Sequence, residues 1–483
     1  MEQSDKRKLP PVWLSFTPLA ILVALLVCVI AAFRSDALSG AGQIALLTAS
    51  ACCVLIGKVW GSLSWDDFEQ AVNRNVSGVA QAILILLLIG AVGGSWMVSG
   101  IVPTMIYYGM QIISPQWFLV TSCLICAAVS VTTGSSWTTI ATIGIALLGI
   151  GKAQGFAEGW IAGAIISGAY FGDKISPMSE TTVLASSTTH TPLFTHIRYM
   201  MYTTVPAFSI GLAVFAVAGW LMPGTGQAGI TSFADGLQGV FVLSPWLLVV
   251  PVVTGIMIAR RLPAVVILFL ATLMACVAAV CTQAPLVDHI AGQEGSTLLQ
   301  RFKGVMILVY GATSLQTGVP ELDGLVATRG MAGMMSTVWL IFCAMIFGAS
   351  MSASGMIESI MRMFIRAARG AFSLVGSTVG VGLFMNIVCA DQYLSLILTG
   401  NMFGHIYKEM GYESRLLSRT AEDAVTVTSV LIPWNSCGMT QSMVLGVPTV
   451  VYLPYCFFNY LSPCVTLLVA ALGYKIRRTV RSS

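Results

Sequence analysis

Residues 163–190 read GAIISGAYFGDKISPMSETTVLASSTTH, and this stretch decides the fold class of the chain. It begins as an apolar segment, but Asp173, Lys174, Pro177 and Glu180 interrupt it. Proline removes a backbone donor, and an acid within a membrane segment is costly and functional by default. Unpaired backbone groups are tolerated at membrane depth only where protein or a water-filled cavity surrounds them. The stretch therefore predicts a broken membrane helix beside a functional site.

The composition of the whole chain also indicates a membrane protein. Of its 483 residues, 56% are hydrophobic and only 9% are charged, and the mean hydropathy is +0.85. Soluble globular chains carry about 25% charged residues, so this composition excludes a soluble enzyme and a disordered chain. The net charge of +4 is too small for a phosphate-backbone footprint, so we expect no nucleic-acid partner. The predicted fold class is an all-α polytopic membrane protein.

Apolar runs long enough to cross about 30 Å of hydrocarbon recur along the chain. The clearest runs cover residues 13–33, 41–61, 78–98, 117–136, 201–221, 240–260, 262–282, 335–354, 372–390 and 449–473. Further apolar stretches are interrupted by Gly, Pro, Ser, Thr or a charge, at 131–151, 156–190, 300–320, 391–406 and 421–447. We expect broken helices or re-entrant hairpins in the interrupted stretches.

Basic residues at both ends of the chain predict its orientation. The C-terminal tail, 475–483, and the residues before the first apolar run are both basic, so the positive-inside rule places both termini in the cytoplasm. No small-residue cleavage site ends the first run cleanly, so we expect a retained helix rather than a signal peptide. The lipid bilayer is the expected surrounding of these helices.

Two short internal matches indicate a repeat. The segment 99–101 (SGI) is followed 255 residues later by 354–356 (SGM), and 173–179 (DKISPMS) is followed 250 residues later by 423–429 (DAVTVTS). The stretch after Gly100 has no Lys or Arg before position 152, whereas three arginines follow Gly355 by position 369. The charge bias thus places matched segments on opposite sides of the membrane, which is typical of inverted-topology repeats.

This repeat divides the chain into five parts, with broken helices or hairpins of the two repeats meeting near the membrane midplane. The parts are an N-terminal tail with two transmembrane helices (1–75), repeat 1 (76–222), connecting helices and a loop (223–333), repeat 2 (334–474) and the basic cytoplasmic tail (475–483).

The polar residues within the interrupted stretches have the chemistry of a cation site. Sodium prefers oxygen ligands, which carboxylates, hydroxyls and the carbonyls of unwound helices supply. A carboxylate at low dielectric also has a raised proton affinity, so H⁺ and a cation can compete for one site. Half-helix N-termini would complement an organic anion. The candidate ion- or substrate-binding residues are Ser135, Ser136, Asp173, Ser176, Ser179, Glu180, Thr181, Asp391, Asp423, Thr426, Ser429 and Asn435, with Asp173, Asp391 and Asp423 as candidate Na⁺ ligands.

Structural interpretations of several residues remain open at this point. A single Ser or Thr in a membrane helix often only bonds to a carbonyl of its own helix. Lys174 could be the ion-pair partner of Asp173 or Glu180, and Glu422 could be a helix-end residue that faces the cytoplasm. Three glycines at near-helical spacing are expected to let helices pack closely. They are Gly163, Gly168 and Gly172.

Four stretches resemble the signature segments of the Na⁺/H⁺ antiporter NhaC family, part of the wider ion-transporter superfamily. They are 133–151 (TGSSWTTIATIGIALLGIG), 163–206 (GAIISGAYFGDKISPMSETTVLASSTTHTPLFTHIRYMMYTTVP), 390–403 (ADQYLSLILTGNMF) and 418–438 (SRTAEDAVTVTSVLIPWNSCG). The resemblance covers about residues 80 to 465 and implies two inverted repeats, a midplane site and sodium-coupled exchange across a bacterial inner membrane. The resemblance also implies that the following residues belong to the site: Asp173, Ser176, Glu180, Thr181, Asp391, Asp423 and Asn435.

Two features depart from the family pattern. Glu180 stands where the family commonly has Asp, and Ser187 and Thr188 replace what is commonly a small apolar pair. The first change is conservative, and the second could alter the substrate pocket.

The leading functional hypothesis is a secondary active transporter, not an enzyme, that exchanges Na⁺ for H⁺. The alternative is sodium-coupled transport or exchange of a small organic anion, of the malate/lactate type, or of an amino acid through the same site. No cofactor is expected beyond the transported ions, and a homodimer is a further expectation. A passive channel stays open as an interpretation. An intramembrane protease and a primary pump are disfavoured, because no G-x-S-G, H-E-x-x-H or G-x-x-x-x-G-K-[ST] motif occurs.

Overall fold

A computed structural model describes residues 9–33, 40–61, 63–222, 227–260, 262–292 and 297–478. These residues are organised as helices, and the only β-structure among them is a pair of isolated bridges. Within the same residues, nine helices are long and apolar enough to cross a membrane, and two bent helix pairs raise the number to eleven if each pair is one span. The predicted all-α polytopic fold class is confirmed.

The helices fall into an N-terminal group, a first set, a connecting group and a second set. The N-terminal group is α1 (Val12–Phe33), α2 (Ala41–Gly61) and α3 (Trp65–Gly78). The first set is α4 (Ala80–Val98), α5 (Ile101–Ile112), α6 (Phe118–Thr133), α7 (Ser136–Thr139), α8 (Ile145–Ala153), α9 (Glu158–Ile175), α10 (Glu180–Thr188) and α11 (Leu193–Leu221). The connecting group is α12 (Gln227–Val240), α13 (Val249–Ala259), α14 (Ala264–Thr282), α15 (Ala284–Ile290), α16 (Leu298–Tyr310), α17 (Pro320–Val326) and α18 (Gly330–Gly333). The second set is α19 (Met335–Ala353), α20 (Met356–Ala367), α21 (Ala371–Val388), α22 (Gln392–Glu409), α23 (Ser414–Ala421), α24 (Ser436–Leu445), α25 (Thr449–Tyr452) and α26 (Phe457–Ala471).

The uninterrupted apolar runs correspond to helices, and the largest differences occur at bends. The run predicted at 240–260 follows a 92° bend between Ile230–Val240 and Pro245–Ala259, and the run at 449–473 is bent by 54°. Proline lies at both bends, as Pro245 and Pro454, and its missing backbone donor favours a change of direction. Hydropathy alone does not report such bends, because both arms of each pair are apolar.

The second set repeats the element order of the first at a nearly constant spacing. α4 and α19 both have 19 residues and begin 255 residues apart, and α5 and α20 follow them with 12 residues each. Both pairs are joined by a glycine in the left-handed region, Gly100 (φ 81°) and Gly355 (φ 73°). The sequence match at 99–101 and 354–356 therefore marks equivalent positions, while the opposite orientation of the two sets in a membrane stays a prediction.

The second sequence match does not follow this spacing. Helix N-caps at Ser135 and Ser179 recur 256 residues later at Asp391 and Asn435. At that spacing Asp173 is equivalent to Ser429, whereas the match at an offset of 250 paired Asp173 with Asp423. The pairing from sequence was wrong because apolar segments produce chance matches readily.

Two glycines hold α9 tightly against α6. A Cβ atom added to Gly168 would overlap the carbonyl oxygen of Cys123, and one added to Gly172 would lie 2.6 Å from Cβ of Ser130. The Ser130 hydroxyl donates to the carbonyl of Ala169 at 2.6 Å across the same interface. The prediction that these glycines allow close packing is confirmed, and the contact fixes the end of α9 that carries Asp173.

Candidate functional site

Two helix breaks of the first set lie against each other. After α6 the backbone turns at Gly134 (φ 65°), and the Ser135 side chain caps the next helix by accepting a hydrogen bond from the Thr138 amide at 3.2 Å. A Cβ atom at Gly134 would lie 2.6 Å from the carbonyl carbon of Met178, which belongs to the second break. Glycine is therefore required there both by the backbone angle and by the neighbouring chain.

The second break separates α9 from α10. The Ser176 hydroxyl donates to the carbonyl of Val131 at 2.8 Å, so this predicted ligand ties the break to α6. Ser179 caps α10 by accepting from the Thr182 amide at 3.4 Å, and its hydroxyl lies 3.0 Å from that of Thr181. Ser179 and Thr181 thus present hydroxyl oxygens at the start of a half-helix.

Asp173 joins the two breaks. Its Oδ2 accepts two hydrogen bonds from Ser136, one from the amide nitrogen at 3.2 Å and one from the hydroxyl at 2.8 Å. A carboxylate is favoured at a helix N-terminus because the unpaired amides there carry a positive partial charge. The residue is 5% exposed and lines a cavity.

A cavity of about 380 Å³ begins at these breaks and extends to the loop between α13 and α14. Its charged lining residues, among those the structure describes, are Asp173 and Glu180. The Tyr393 hydroxyl donates to Oε2 of Glu180 at 3.0 Å, which connects the cavity to the second set. Its remaining lining residues are Gly78, Gln81, Ala82, Ile85, Thr133, Gly134, Ser135, Trp137, Thr138, Met178, Ser179, Thr181, Ile258, Leu262, Pro263, Ala264, Ile267, Gln392 and Tyr393.

Asp391 occupies the equivalent break of the second set. Its Oδ1 accepts from the Leu394 amide at 3.0 Å, and its Oδ2 accepts from the Ser436 hydroxyl at 3.1 Å. Asn435 caps α24 by accepting from the Cys437 amide at 3.1 Å. Both predicted ligands therefore cap half-helices, and neither lines the cavity.

Asp423 is the partner of the buried lysine. Lys174 forms an ion pair with Oδ1 of Asp423, and both side chains are fully buried. The sequence left Asp173 or Glu180 as the partner of Lys174, and both of those assignments were wrong. Lys174 follows Asp173 directly in α9, so one residue lines the cavity and the next forms the ion pair.

Hydroxyl groups complete the surroundings of Asp423. Thr203 donates to Oδ2 at 2.8 Å, Thr466 donates to the same oxygen, and Ser462 donates to Oδ1 at 3.2 Å. With an ammonium and three hydroxyls around it, the carboxylate already has its charge compensated.

The three aspartates do not converge on one site. In the described ranges no group of three or more His, Cys, Asp or Glu side chains is placed to hold a metal ion together. Asp173 reaches the cavity, Asp391 caps α22, and Asp423 pairs with Lys174. Of the three, Asp173 is the one that lines the cavity, which makes it the strongest candidate cation ligand.

The segment after α23 is unwound, and side chains donate hydrogen bonds to the backbone carbonyls that the unwinding frees. A π-helical turn runs over Glu422–Thr426, and the chain leaves helical geometry before Asn435. Asn386 donates to the carbonyl of Val425 at 2.6 Å, and Asn459 donates to that of Val427 at 2.8 Å. These carbonyls therefore have structural partners.

Thr426 and Ser429 lie within the same buried segment. Ser429 donates its hydroxyl to the carbonyl of Thr426 at 2.8 Å, which is the bonding expected of a structural serine. The Thr426 hydroxyl is buried and lies beside the carboxyl group of Glu422. Neither residue lines the cavity.

Comparison with known proteins identifies the family of this chain. Residues 168–474 match the Na⁺/H⁺ antiporter family, and the chain is 36% identical to the Na⁺/H⁺ antiporter NhaC of Alkalihalophilus pseudofirmus, over 87% of this chain and 89% of that protein. The chain belongs to the Na⁺/H⁺ antiporter NhaC family. It is also 32% identical to the malate-2H⁺/Na⁺-lactate antiporter of Bacillus subtilis, over 89% of each chain. With the arginine/ornithine antiporter ArcD of Halobacterium salinarum the identity is 32%, over 98% of this chain and 95% of that protein.

In this NhaC-family chain, several residues at the site were missed by the sequence analysis. Trp137 and Tyr393 both line the cavity, and they lie 256 residues apart, at equivalent positions after the two half-helix N-caps. The pairing of "SSW" with "DQY" at the correct offset is the signal that could have found them. Gln392, which also lines the cavity, belongs to the same DQY segment and could have been found by the same pairing.

The position of Glu422 also corrects an expectation from sequence. The residue does not face an aqueous surface but is fully buried in the π-helical turn. Thr181 and Thr426 lie beside its carboxyl group. Its neighbour in sequence, Asp423, forms the ion pair, so the two consecutive acids have different surroundings.

Proposed function

We propose that this chain exchanges Na⁺ for H⁺ across a membrane and that Asp173 binds the exchanged cation. The observation that carries the proposal is a single buried carboxylate at the end of a cavity, held in place by Ser136 and accompanied by hydroxyl oxygens. The relatives named as Na⁺/H⁺ antiporters support it.

The oxygen-rich surroundings of Asp173 fit a hard cation. Hydroxyls of Ser135, Ser179 and Thr181 line the same cavity end, and such oxygens are the ligands that Na⁺ prefers. A carboxylate in this setting is occupied by either a proton or a cation, because both compensate the same charge. Exchange then requires only that the loaded site become accessible to the two sides in turn.

The substitution Asp173→Asn tests this role because it removes the charge and keeps the shape. Purified protein in proteoliposomes with a pH-sensitive dye inside should show Na⁺-dependent proton movement, and the variant should lose it. Asp66→Asn, a change of the same type on the exposed part of α3, is the matched control and should behave as the unaltered protein. Retained exchange in Asp173→Asn would show that Asp173 is structural.

The organic-anion alternative has less support from the site. Among the described residues that line the cavity there is no Lys, Arg or His. The half-helix N-termini expected to attract an anion are already capped by side chains of the protein, namely Ser135, Asp173, Ser179, Asp391 and Asn435. An added carboxylate would meet two acids and no free helix N-terminus.

We also propose the cell inner membrane as the location, with both termini in the cytoplasm and a homodimer as the assembly. The basic tails support this orientation through the positive-inside rule. A single cysteine placed at the C-terminus, with native cysteines replaced, should react with an impermeant maleimide in inverted vesicles but not in intact cells. The mass of the purified protein–detergent complex tests the dimer.

A further inference from the structure

The charge of the cavity limits which solutes it can hold. Asp173 and Glu180 are acidic, and no basic side chain occurs among the described lining residues. Arg260, the C-cap of α13, is exposed and does not belong to the lining. Because two carboxylates share this space and no described lining residue compensates their charge, the cavity attracts cations and repels anions.

The size and the apolar wall of the cavity exceed what a bare metal ion needs. A water molecule occupies about 30 Å³ in the liquid, so a cavity of about 380 Å³ corresponds to on the order of ten waters. One wall consists of aliphatic side chains from α4, α13 and α14 and the loop between the last two. They are Ile85, Ile258, Leu262 and Ile267. Such a wall gives no ligand to Na⁺, but it can bury hydrocarbon.

Trp137 also lines this space while only 8% exposed. Its indole N–H is buried away from the cavity, beside the thiol of Cys437. Trp137 therefore adds to the wall, and Asp173 and Glu180 are the groups that recognise a charged solute.

We propose that the cavity binds a small organic cation, a primary ammonium carried on a short aliphatic body, at the carboxylates that also bind Na⁺. The ammonium group lies between Asp173 and Glu180, and the aliphatic body lies against the wall that includes Leu262. This inference rests on the proposed function, because it assigns a second class of cation to the same site.

A series of ammonium ions of increasing length tests the proposal by calorimetric titration of the purified full chain. Binding is measured rather than transport, because free amines cross lipid bilayers and would change the internal pH by themselves. The probes are methyl-, ethyl-, propyl- and butylammonium chloride in an amine-free, sodium-free buffer. Each buried CH₂ should increase affinity about fourfold, so butylammonium, with three more CH₂ groups, should bind roughly 60-fold more tightly than methylammonium. Added Na⁺ should weaken the binding of every member.

Neutral and anionic probes of the same length are the matched controls. 1-Butanol and potassium butyrate should not weaken Na⁺ binding, whereas butylammonium should, and Asp173→Asn should lose both Na⁺ and butylammonium binding. Leu262→Asn, at a residue that is 40% exposed, should reduce the ratio of butylammonium to methylammonium affinity by about fourfold or more.

The outcomes separate this inference from the function it rests on. If Na⁺ binds and no ammonium ion competes, the organic-cation inference is wrong and Na⁺/H⁺ exchange stands. Affinity that does not change with chain length, or that Leu262→Asn leaves unchanged, would refute the contact with the apolar wall. Competition by butyrate as strong as that by butylammonium would refute the charge argument. If neither Na⁺ nor any ammonium ion binds, the proposed function itself fails.

Discussion

Neutralising the Lys174–Asp423 pair should show that this pair holds the fold together and does not bind the transported ion. Both side chains are fully buried, and the pair joins α9 of the first set to the segment after α23 in the second. We consider Asp423→Asn, Lys174→Met and the double variant. Each single substitution leaves one charge without its partner in the protein interior, whereas the double substitution removes both.

The surroundings of each group set the expected magnitude. Removing one member of a buried ion pair costs about 3–5 kcal/mol of stability. Asp423→Asn should lie near the middle of this range, because Lys174 then keeps the Ser462 hydroxyl at 3.0 Å, the ring of Phe458 at 5.6 Å and the attraction of the buried Glu422 carboxyl group. Lys174→Met should lie near the lower limit, since three hydroxyls still donate to Asp423.

The double variant gives the decisive comparison. Without either charge, it should lie within about 2 kcal/mol of the unaltered protein, and therefore at least about 3 kcal/mol below the sum of the single effects. Unfolding free energies from dodecyl sulfate titration in mixed micelles measure this coupling. Glu358→Gln is the control, because the exposed Arg362–Glu358 pair (2.7 Å) should contribute less than about 0.5 kcal/mol.

Two results would refute this reasoning. Additive effects of the two single substitutions would mean that the two side chains do not stabilise each other. A stable double variant that has lost Na⁺-dependent proton movement in proteoliposomes would mean that Asp423 takes part in transport, as the sequence predicted. Retained exchange in the double variant would assign Asp423 a structural role.

Two further predictions concern packing and pH. Gly168→Ala places a methyl group against the carbonyl of Cys123, so it should destabilise the protein by about 1–3 kcal/mol and weaken Na⁺ binding through α9. Gly255→Ala is the control, because nothing lies near its Cβ position, and it should have neither effect. Equal melting temperatures for the two variants would contradict the packing argument. In the segment between α16 and α18, hydrogen bonds from the hydroxyl and amide of Thr317 lower the pKa of Asp323. These bonds therefore stabilise the loop at pH values above the ordinary Asp pKa, and the stabilisation is lost as the pH falls through the lowered pKa. Thr317→Val should raise the pKa of Asp323 and make residues 311–330 sensitive to limited proteolysis at a higher pH than in the unaltered protein; identical pH profiles would contradict this.

Helix positions were largely predictable because a bilayer imposes a minimum apolar length. The predicted run 41–61 coincides with α2, and the run 262–282 differs from α14 only by two residues at its start. The break at 176–179 was predictable too, since Pro177 and the charges around it cannot continue an apolar helix. What hydropathy could not give is the direction of the chain after a break, because that depends on packing.

The partners of the acids were not predictable for the same reason. Lys174 and Asp423 are 249 residues apart in sequence, and only the contact between the two sets brings them together. The same holds for Tyr393 and Glu180, which are 213 residues apart. A membrane acid could be recognised as important from sequence, but whether it binds a solute or a lysine is decided by tertiary contacts.

The repeat spacing explains why the two halves of the molecule differ in chemistry despite equivalent breaks. The contact between Ser136 and Asp173 recurs 256 residues later as one between Gln392 and Ser429, whose hydroxyl oxygen lies 3.4 Å from Oε1 of the amide. At equivalent positions, then, the first set has a carboxylate and the second has a neutral pair.

The other equivalent pair of positions shows the reverse distribution of acids. Asp391 and Ser436 of the second set, joined by a 3.1 Å hydrogen bond, correspond to Ser135 and Glu180 of the first, and both of those line the cavity. Because Asp391 is itself the N-cap, the adjacent amides and hydroxyl satisfy its oxygens. Glu180 instead follows its N-cap and projects into the cavity, where only Tyr393 donates to it within the described chain. The same backbone break therefore yields a closed structural cap in the second set and an acidic cavity in the first, depending on which of two equivalent positions carries the carboxylate.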